Sequence, residues 1–438
     1  MKYYTSRIFS LILTVLVAIS GFAQKTDKIK NQIDELASEV ESTVIEWRHH
    51  LHQYPELSNR EFKTAEFIAG KLKSFGLEVQ TGIAHTGIVA ILKGGKPGPV
   101  IGLRADIDAL PVTERVPIEW ASKEVAEYNG QKVGVMHACG HDTHTSILLG
   151  TAKVLSELKD DLQGTVKFIF QPAEEGAPEG EEGGAELMIK EGVLKNPDVD
   201  VIFGLHIWST LETGKIGYKP EGTMAAANSF HIKVKGKQTH GSRPWGGIDP
   251  IVTSAMIING LQTTVSRQAE LTQDPAVVTV GAIQGGVRSN IIPEEVEMIG
   301  TIRTFDGDMR EKIFKDIERT ATMIAASQGA IAEVSIKKGY PVTYNDPELT
   351  ELMVPSLEVT AGKDNVILQK AITGAEDFSF YQKEVPGLFF FLGGMPKGMD
   401  SEEAYPHHTP DFFVTDDSMI LGIRTFCNLV VDYPGNAK

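Results

Sequence analysis

Four short apolar runs constrain this chain more than any other feature. Residues 100–105, 166–170, 201–205 and 388–392 read as buried strands of a partly parallel sheet. A helical pattern over 145–158 separates the first two, so the order is α/β. Helical spacing also marks 29–54, where Ile33, Leu36, Val40, Val44, Trp47 and Leu51 share a face. A further helix is expected over 61–75, stopping before Gly76.

The rhythm changes in the middle of the chain. Phe230, Ile232 and Val234 alternate with His231, Lys233 and Lys235. A helix over 248–267, strands at 276–282 and 295–303, a helix over 309–327 and a strand at 332–337 follow. This is the β-α-β-β-α-β order of a ferredoxin-like unit, which can bury its own core. At 438 residues the chain is too long for one ordinary core. We therefore expect an α+β domain over 220–335, inserted into an α/β domain made of 24–219 and 336–438.

At the start, Lys2 and Arg7 precede an apolar run over 8–19, with small residues near Gly21 and Ala23. That order predicts a secretory signal over 1–23 and hence an exported protein, periplasmic or secreted. The run is shorter than the ~20 residues of a spanning helix; an uncleaved anchor is the alternative. The net charge of −16 aids solubility and argues against nucleic acid as a partner. The two cysteines, Cys139 and Cys427, could form a disulfide in an exported protein. Cys139, however, lies among histidines, which suggests a metal, and Cys427 has the apolar context of a core residue.

Polar clusters recur where the apolar runs end. Asp106 and Asp108 follow the first, 171–175 (Gln-Pro-Ala-Glu-Glu) follows the second, and His206 follows the third. The fourth precedes a loop with His407 and His408, and 137–144 (His-Ala-Cys-Gly-His-Asp-Thr-His) leads into a helix. Open α/β sheets bind ligands beyond the carboxyl ends of their strands. Cys139, His141, Glu175, His206 and a late histidine make a sulfur, nitrogen and oxygen set suited to zinc or another late divalent ion. Glycine between Cys139 and His141 lets both face one point. With one bridging ligand such a set serves two metals ~3.5–4 Å apart. His137 and His144 read equally well as ligands or as hydrogen-bonded core histidines. Glu174 and Glu175, adjacent in an extended segment, point to opposite sides. One can bind metal while the other faces the reacting water as a general base. Glu179, Glu181 and Glu182 read as a solvated acidic run.

Taken together, these segments resemble a known family. They are 104–111 (Arg-Ala-Asp-Ile-Asp-Ala-Leu-Pro), 136–144, 171–175, 204–206 (Gly-Leu-His), 374–379 (Gly-Ala-Glu-Asp-Phe-Ser) and 408–410 (His-Thr-Pro). The chain resembles the zinc-type metallopeptidases that include carboxypeptidase G-like enzymes, aminoacylases and succinyl-diaminopimelate desuccinylase. Within them it is similar to the amidohydrolase branch of hippurate hydrolase and indoleacetyl-amino-acid hydrolases. The resemblance implies two divalent ions, zinc or manganese with cobalt as a further choice, held by Cys139, His141, Glu175, His206 and His408. It places Glu174 as general base and Asp106 as the aspartate that steadies the metal site. The wider family has His-x-Asp there, whereas this chain has Arg104 at the first position. The inserted domain resembles the family's lid and dimerisation domain, which implies a homodimer. His240 matches a histidine that reaches a partner's active site and stabilises the oxyanion. Asn290, Arg303 and Gly374 match substrate-binding positions, Arg303 for a substrate carboxylate.

The expected activity is hydrolysis of the amide bond of N-acyl amino acids or related small amides. A dipeptidase or carboxypeptidase of the same fold is an alternative. So is an exported binding protein without catalysis, although such a protein has no need of a general base. A purely structural zinc site fits less well, because those sites usually close with cysteines.

Overall fold

The computed structural model describes the backbone of residues 2–436 and the side chains of 28–434. The expected signal over 1–23 lies outside the described side chains. Among the described residues no helix is long and apolar enough to cross a membrane. The chain divides into two units. The first runs up to Tyr218 and takes in Asp346–Gln369 and the chain from Glu384 onward; the second is Lys219–Asn345 with Lys370–Lys383.

The first unit is built on an eight-stranded mixed sheet. The four apolar runs become Lys96–Asp106, Gln163–Gln171, Val201–Glu212 and Gly387–Met395. They are the central strands and run parallel, in the order Gln163–Gln171, Lys96–Asp106, Val201–Glu212, Gly387–Met395. Their apolar side chains are buried on both faces: Leu103, Phe168, Phe170, Phe203 and Phe390 are all fully buried. Helices Lys2–Gln53, His141–Glu157 and Met419–Asn436 contribute Val44, Ile147, Leu148, Ile423 and Phe426 to this core. Cys427 is a free, fully buried core thiol, and Cys139 is free as well.

Register sets the chemistry. Asp106 pairs with Gln171, Arg104 pairs with Gly204, and His206 pairs with Phe391. Gln171, Asp106 and His206 therefore lie at one level across three strands. The strand carrying His206 continues to Glu212 rather than ending before it. His206 is buried within the strand, where its ring nitrogens face the Ile207 carbonyl and Cys139.

The helix expected from residue 145 begins at His141. Gly140 turns the chain with φ of 93°, and its carbonyl accepts the N–H groups of Thr143 and His144 at 2.9 and 3.1 Å. His141, Asp142 and His144 thus belong to the first helical turn.

The second unit holds a four-stranded antiparallel sheet in the order Ala276–Gln284, Glu295–Thr304, Ala226–Lys235, Ile331–Lys338. Helices Pro250–Thr263 and Gly307–Ser327 complete a β-α-β-β-α-β order. Phe230, Ile232 and Val234 are buried against Ile257, Leu261, Ile313 and Ile317, as their alternation implied. Residues 336–345 and 370–383 fold with this unit, beyond the 220–335 expected for it.

Candidate metal centre

The candidate site lies within the first unit, at the carboxyl ends of the central strands. Asp106, at the end of its strand, is fully buried between two clamps. Arg104 donates through its guanidinium to Asp106 Oδ2 at 2.6 Å and to Gln171 Oε1 at 2.8 Å. His144 Nδ1 meets Asp106 Oδ1 at 2.6 Å. Burial opposes ionisation, yet His141, His144 and Arg104 hold this carboxyl well below the usual range.

Asp108 organises the next layer. Its Oδ1 accepts the Glu174 N–H at 3.1 Å, and its Oδ2 accepts the Glu175 N–H at 3.0 Å and the Ser58 hydroxyl at 2.7 Å. It also engages His141, whose Nδ1 donates to the Asp108 carbonyl at 2.8 Å and lies 3.2 Å from Oδ1. One carboxylate thus aims both the 174–175 segment and the His141 ring. Burial opposes its charge, but these hydrogen bonds and the charge of His141 lower its pKa. Sequence reading noted Asp108 without giving it a role; only the fold brings Ser58 and the 174–175 backbone to it.

With Nδ1 engaged, His141 Nε2 faces Glu174 Oε2 at 3.7 Å, Asp106 Oδ2 at 3.8 Å and Glu175 Oε1 at 3.9 Å. Burial disfavours its charge, but Asp106, Asp108 and Glu175 raise its pKa to about 10. The site therefore has a strong preference for positive charge. His141 Nε2 is buried without a hydrogen-bond partner.

Cys139 Sγ lies 3.4 Å from His206 Nε2, 3.3 Å from His408 Nε2 and 3.8 Å from His407 Nδ1. His206 Nδ1 donates to the Ile207 carbonyl at 2.6 Å, which leaves Nε2 as a lone pair aimed at the sulfur. Burial, then the charge of His144 and His407, keeps this imidazole neutral. His408 Nε2 is also 3.1 Å from Glu175 Oε1 and joins the two clusters. His407 uses Nε2 to accept the Ser209 N–H at 3.2 Å. His408 Nε2 thus faces both Cys139 Sγ and Glu175 Oε1.

These groups fit divalent ions. Cys139, Glu175 and His408 place one ligand atom each within 4.8 Å of one another, as do Cys139, His206 and His407, and His141, Glu174 and Glu175. Burial and the charges of Glu175, Glu174 and Asp106 push the Cys139 thiol far up. A divalent cation bound among these groups would reverse that sign and favour the thiolate. His141 Nε2, buried without a hydrogen-bond partner, supplies an unused ligand atom.

Gly140 is essential to this convergence. A Cβ there would stand 2.3 Å from Ile207 Cγ2, and its φ of 93° is left-handed. His137 is a buried core histidine outside the cluster, its pKa lowered to about 4 chiefly by burial.

The remaining expected residues lie in the second unit. His240 and Asn290 come together: His240 pairs with Ile291 across a two-stranded ladder, and the Gly241 N–H donates to the Asn290 carbonyl at 2.8 Å. The His240 ring is held by Ser242, whose hydroxyl lies 2.8 Å from Nδ1. Arg303 is half-buried on its strand and donates to the Ile302 carbonyl at 3.2 Å. The Gly374 carbonyl accepts the Ala225 N–H at 2.9 Å.

A parallel sheet that gathers such a donor set at the ends of its strands is suited to holding divalent ions. The chain belongs to Peptidase family M20/M25/M40, whose profile matches residues 102–432. It is 38% identical over 411 residues to thermostable carboxypeptidase 1 of Saccharolobus solfataricus, across 93% of this chain and 98% of that protein. It is 43% identical over 319 residues to the N-acyl-L-amino acid amidohydrolase of Geobacillus stearothermophilus, across 73% of this chain and 82% of that one. A solved Bacillus subtilis structure, described as a dinuclear metal binding peptidase from the M20 family, matches with a TM-score of 0.76 at 34% identity. That match covers 91% of this chain and 99% of the other.

Proposed function

We propose that this protein is a metal-dependent amidohydrolase that cleaves the amide bond of N-acyl amino acids, with Glu174 as general base. The observation that carries this reading is the convergence of candidate ligand atoms, with Glu175 shared between the group of Cys139 and His408 and the group of His141 and Glu174. Two divalent ions, zinc or manganese with cobalt as a substitute, would be held by Cys139, His141, Glu175, His206 and His408. Bound there, they would supply Lewis acidity for the carbonyl and lower the pKa of a bound water from 15.7 toward about 7.

The protein's own groups do the rest. Glu174 takes a proton from the attacking water as its oxygen bonds to the amide carbon. As the C–N bond breaks, Glu174 passes that proton to the leaving nitrogen, giving a carboxylic acid and an amine. Asp108 holds the Glu174 backbone during both transfers. Asp106, braced by Arg104 and His144, would steady the metal site, and Asp108 holds the His141 ring. By the family resemblance, His240 would stabilise the oxyanion in a partner's active site, Asn290 and Gly374 would bind substrate, and Arg303 would pair with its carboxylate.

A homodimer through the second unit is part of this reading. Ile251, Val252 and Met256 form an exposed apolar strip on helix Pro250–Thr263, with the exposed Trp245 nearby in sequence. Export by the signal at 1–23 completes it. The carboxypeptidase named among the relatives supports a second reading, peptide cleavage at a free C-terminus.

The test is hydrolysis of acetyl, benzoyl and long-chain acyl amino acids, with dipeptides alongside, by metal-loaded protein. Cleavage of acyl amino acids that a chelator abolishes supports the proposal. Cleavage of dipeptides alone moves the protein to the second reading, and metal-loaded protein inert on all of them returns it to a binding role.

A further inference from the structure

We infer that a cavity of about 330 Å³ beside Glu175 receives the acyl group of the substrate, and that Tyr128 sets which acyl groups it accepts. This deepens the proposed function and rests on it.

The cavity lies wholly within the first unit. One wall is the hairpin of Val125–Tyr128 and Gln131–Gly134, a two-stranded sheet separate from the eight-stranded one. The hairpin is anchored by a small core of Leu57, Ala109 and Val135 packed with Ala126. Directly after it, Met136 exchanges backbone hydrogen bonds of 3.0 Å with Leu110 in both directions. Met136 opens the segment that carries Cys139 and His141, so the hairpin and the donor set are positioned by one stretch of chain. Glu175 itself lines the cavity. A group seated there would sit next to the proposed reacting centre.

Charge decides which part of the substrate fits. An N-acyl amino acid offers a carboxylate at one end and a neutral acyl group at the other. Among the described lining residues Arg60 is the only basic one, and its guanidinium is taken by Glu181 and by the Asn59 carbonyl at 3.0 Å. Glu175 is a proposed metal ligand, which leaves Glu127 as the acidic lining side chain with no ion assigned to it. A substrate carboxylate finds no uncommitted cation among the described lining side chains, and Glu127 disfavours it further. The floor is apolar, with Leu57, Leu110 and Pro111, and the Tyr128 ring is 42% exposed at the hairpin tip. A cavity of this volume is within the ~300–1,000 Å³ of small-molecule sites, so it takes groups well beyond acetyl.

The experiment compares the N-acetyl and N-octanoyl derivatives of one amino acid on metal-loaded protein. The readout is the octanoyl-to-acetyl ratio of kcat/KM. Tyr128→Ala should lower that ratio about tenfold, the scale of lost apolar contact in a pocket. Tyr128→Phe should restore it, because the ring and not the hydroxyl makes the wall. Leu110→Trp, which fills the floor, should lower it further. Tyr128 is exposed, so its variants test the subsite even if Leu110→Trp fails to fold. A ratio unmoved by Tyr128→Ala, with chelator-sensitive cleavage of both substrates intact, overturns the subsite and leaves the function standing. Failure of the unmodified protein to cleave either substrate overturns both.

Discussion

His144 Nδ1 lies 2.6 Å from Asp106 Oδ1, while its Nε2 accepts the Ile207 N–H at 2.8 Å. Both ring nitrogens are engaged, so this imidazole has no lone pair for an ion. Burial lowers its pKa, in keeping with a neutral ring. His144→Ala should keep bound metal while lowering turnover about 10–100-fold, as losses of supporting partners do. His141→Ala should lose metal outright. Elemental analysis of the two purified variants separates the roles; equal metal loss in both would contradict this assignment.

Glu174→Gln should retain the fold and the metal and lower kcat at least ~100-fold, the usual scale of general-base loss. The measurement pairs steady-state kinetics with metal content on one preparation. Turnover within about tenfold of the unmodified protein would remove Glu174 from the mechanism.

Asp108→Ala would release the Glu174 and Glu175 N–H groups and the His141 ring together. Metal affinity should weaken about 10–100-fold, read by competition with a chromophoric chelator. Ser58→Ala removes one of the same bonds and should weaken it far less.

Stability should fall as pH rises through the neutral range. Glu61 is fully buried, accepting from Thr86 at 2.6 Å and the Ala173 N–H at 3.0 Å. Burial, then the charge of Asp108, raises its pKa from 4.5 to about 8. Between those values the folded state holds a proton that the unfolded state has lost, so unfolding free energy declines with pH. His52 adds the same sign between 6.5 and about 9: burial opposes its charge, but Asp142 and Glu114 raise its pKa. Glu61→Gln should flatten the lower part of the slope in denaturant titrations at several pH values. An unchanged slope would mean that Glu61 is ionised in the folded protein.

Val252→Glu should convert a dimer into a monomer in sedimentation velocity, since Val252 is 54% exposed on the apolar strip. A monomeric unmodified protein would dispose of the proposed homodimer.

Much of this architecture was legible because buried parallel strands are written as apolar runs. The alternation of Phe230, Ile232 and Val234 was equally plain, since an antiparallel sheet covered on one face shows a period of two. The start of helix His141–Glu157 was not legible. Residues 141–146 are polar and all buried, so a pattern of apolar positions cannot see them. The donor set could be gathered from spacing and resemblance. The network behind it could not: Arg48, His52 and Asp142 meet at 3.1 and 3.0 Å from widely separated positions, and each alone looks like a surface residue. Nor did anything in 370–383 announce that this segment folds with the second unit.

Gly140 stands between Cys139 and His141 and abuts Ile207, whose neighbour is His206. The gap between the loop donors and the strand donor is therefore set by van der Waals contact of backbone with a buried isoleucine, not by the donors themselves. Such a gauge resists spreading. Ions of larger radius, calcium among them, would have to push apart a packed core, so the site should discriminate by size before it discriminates by chemistry.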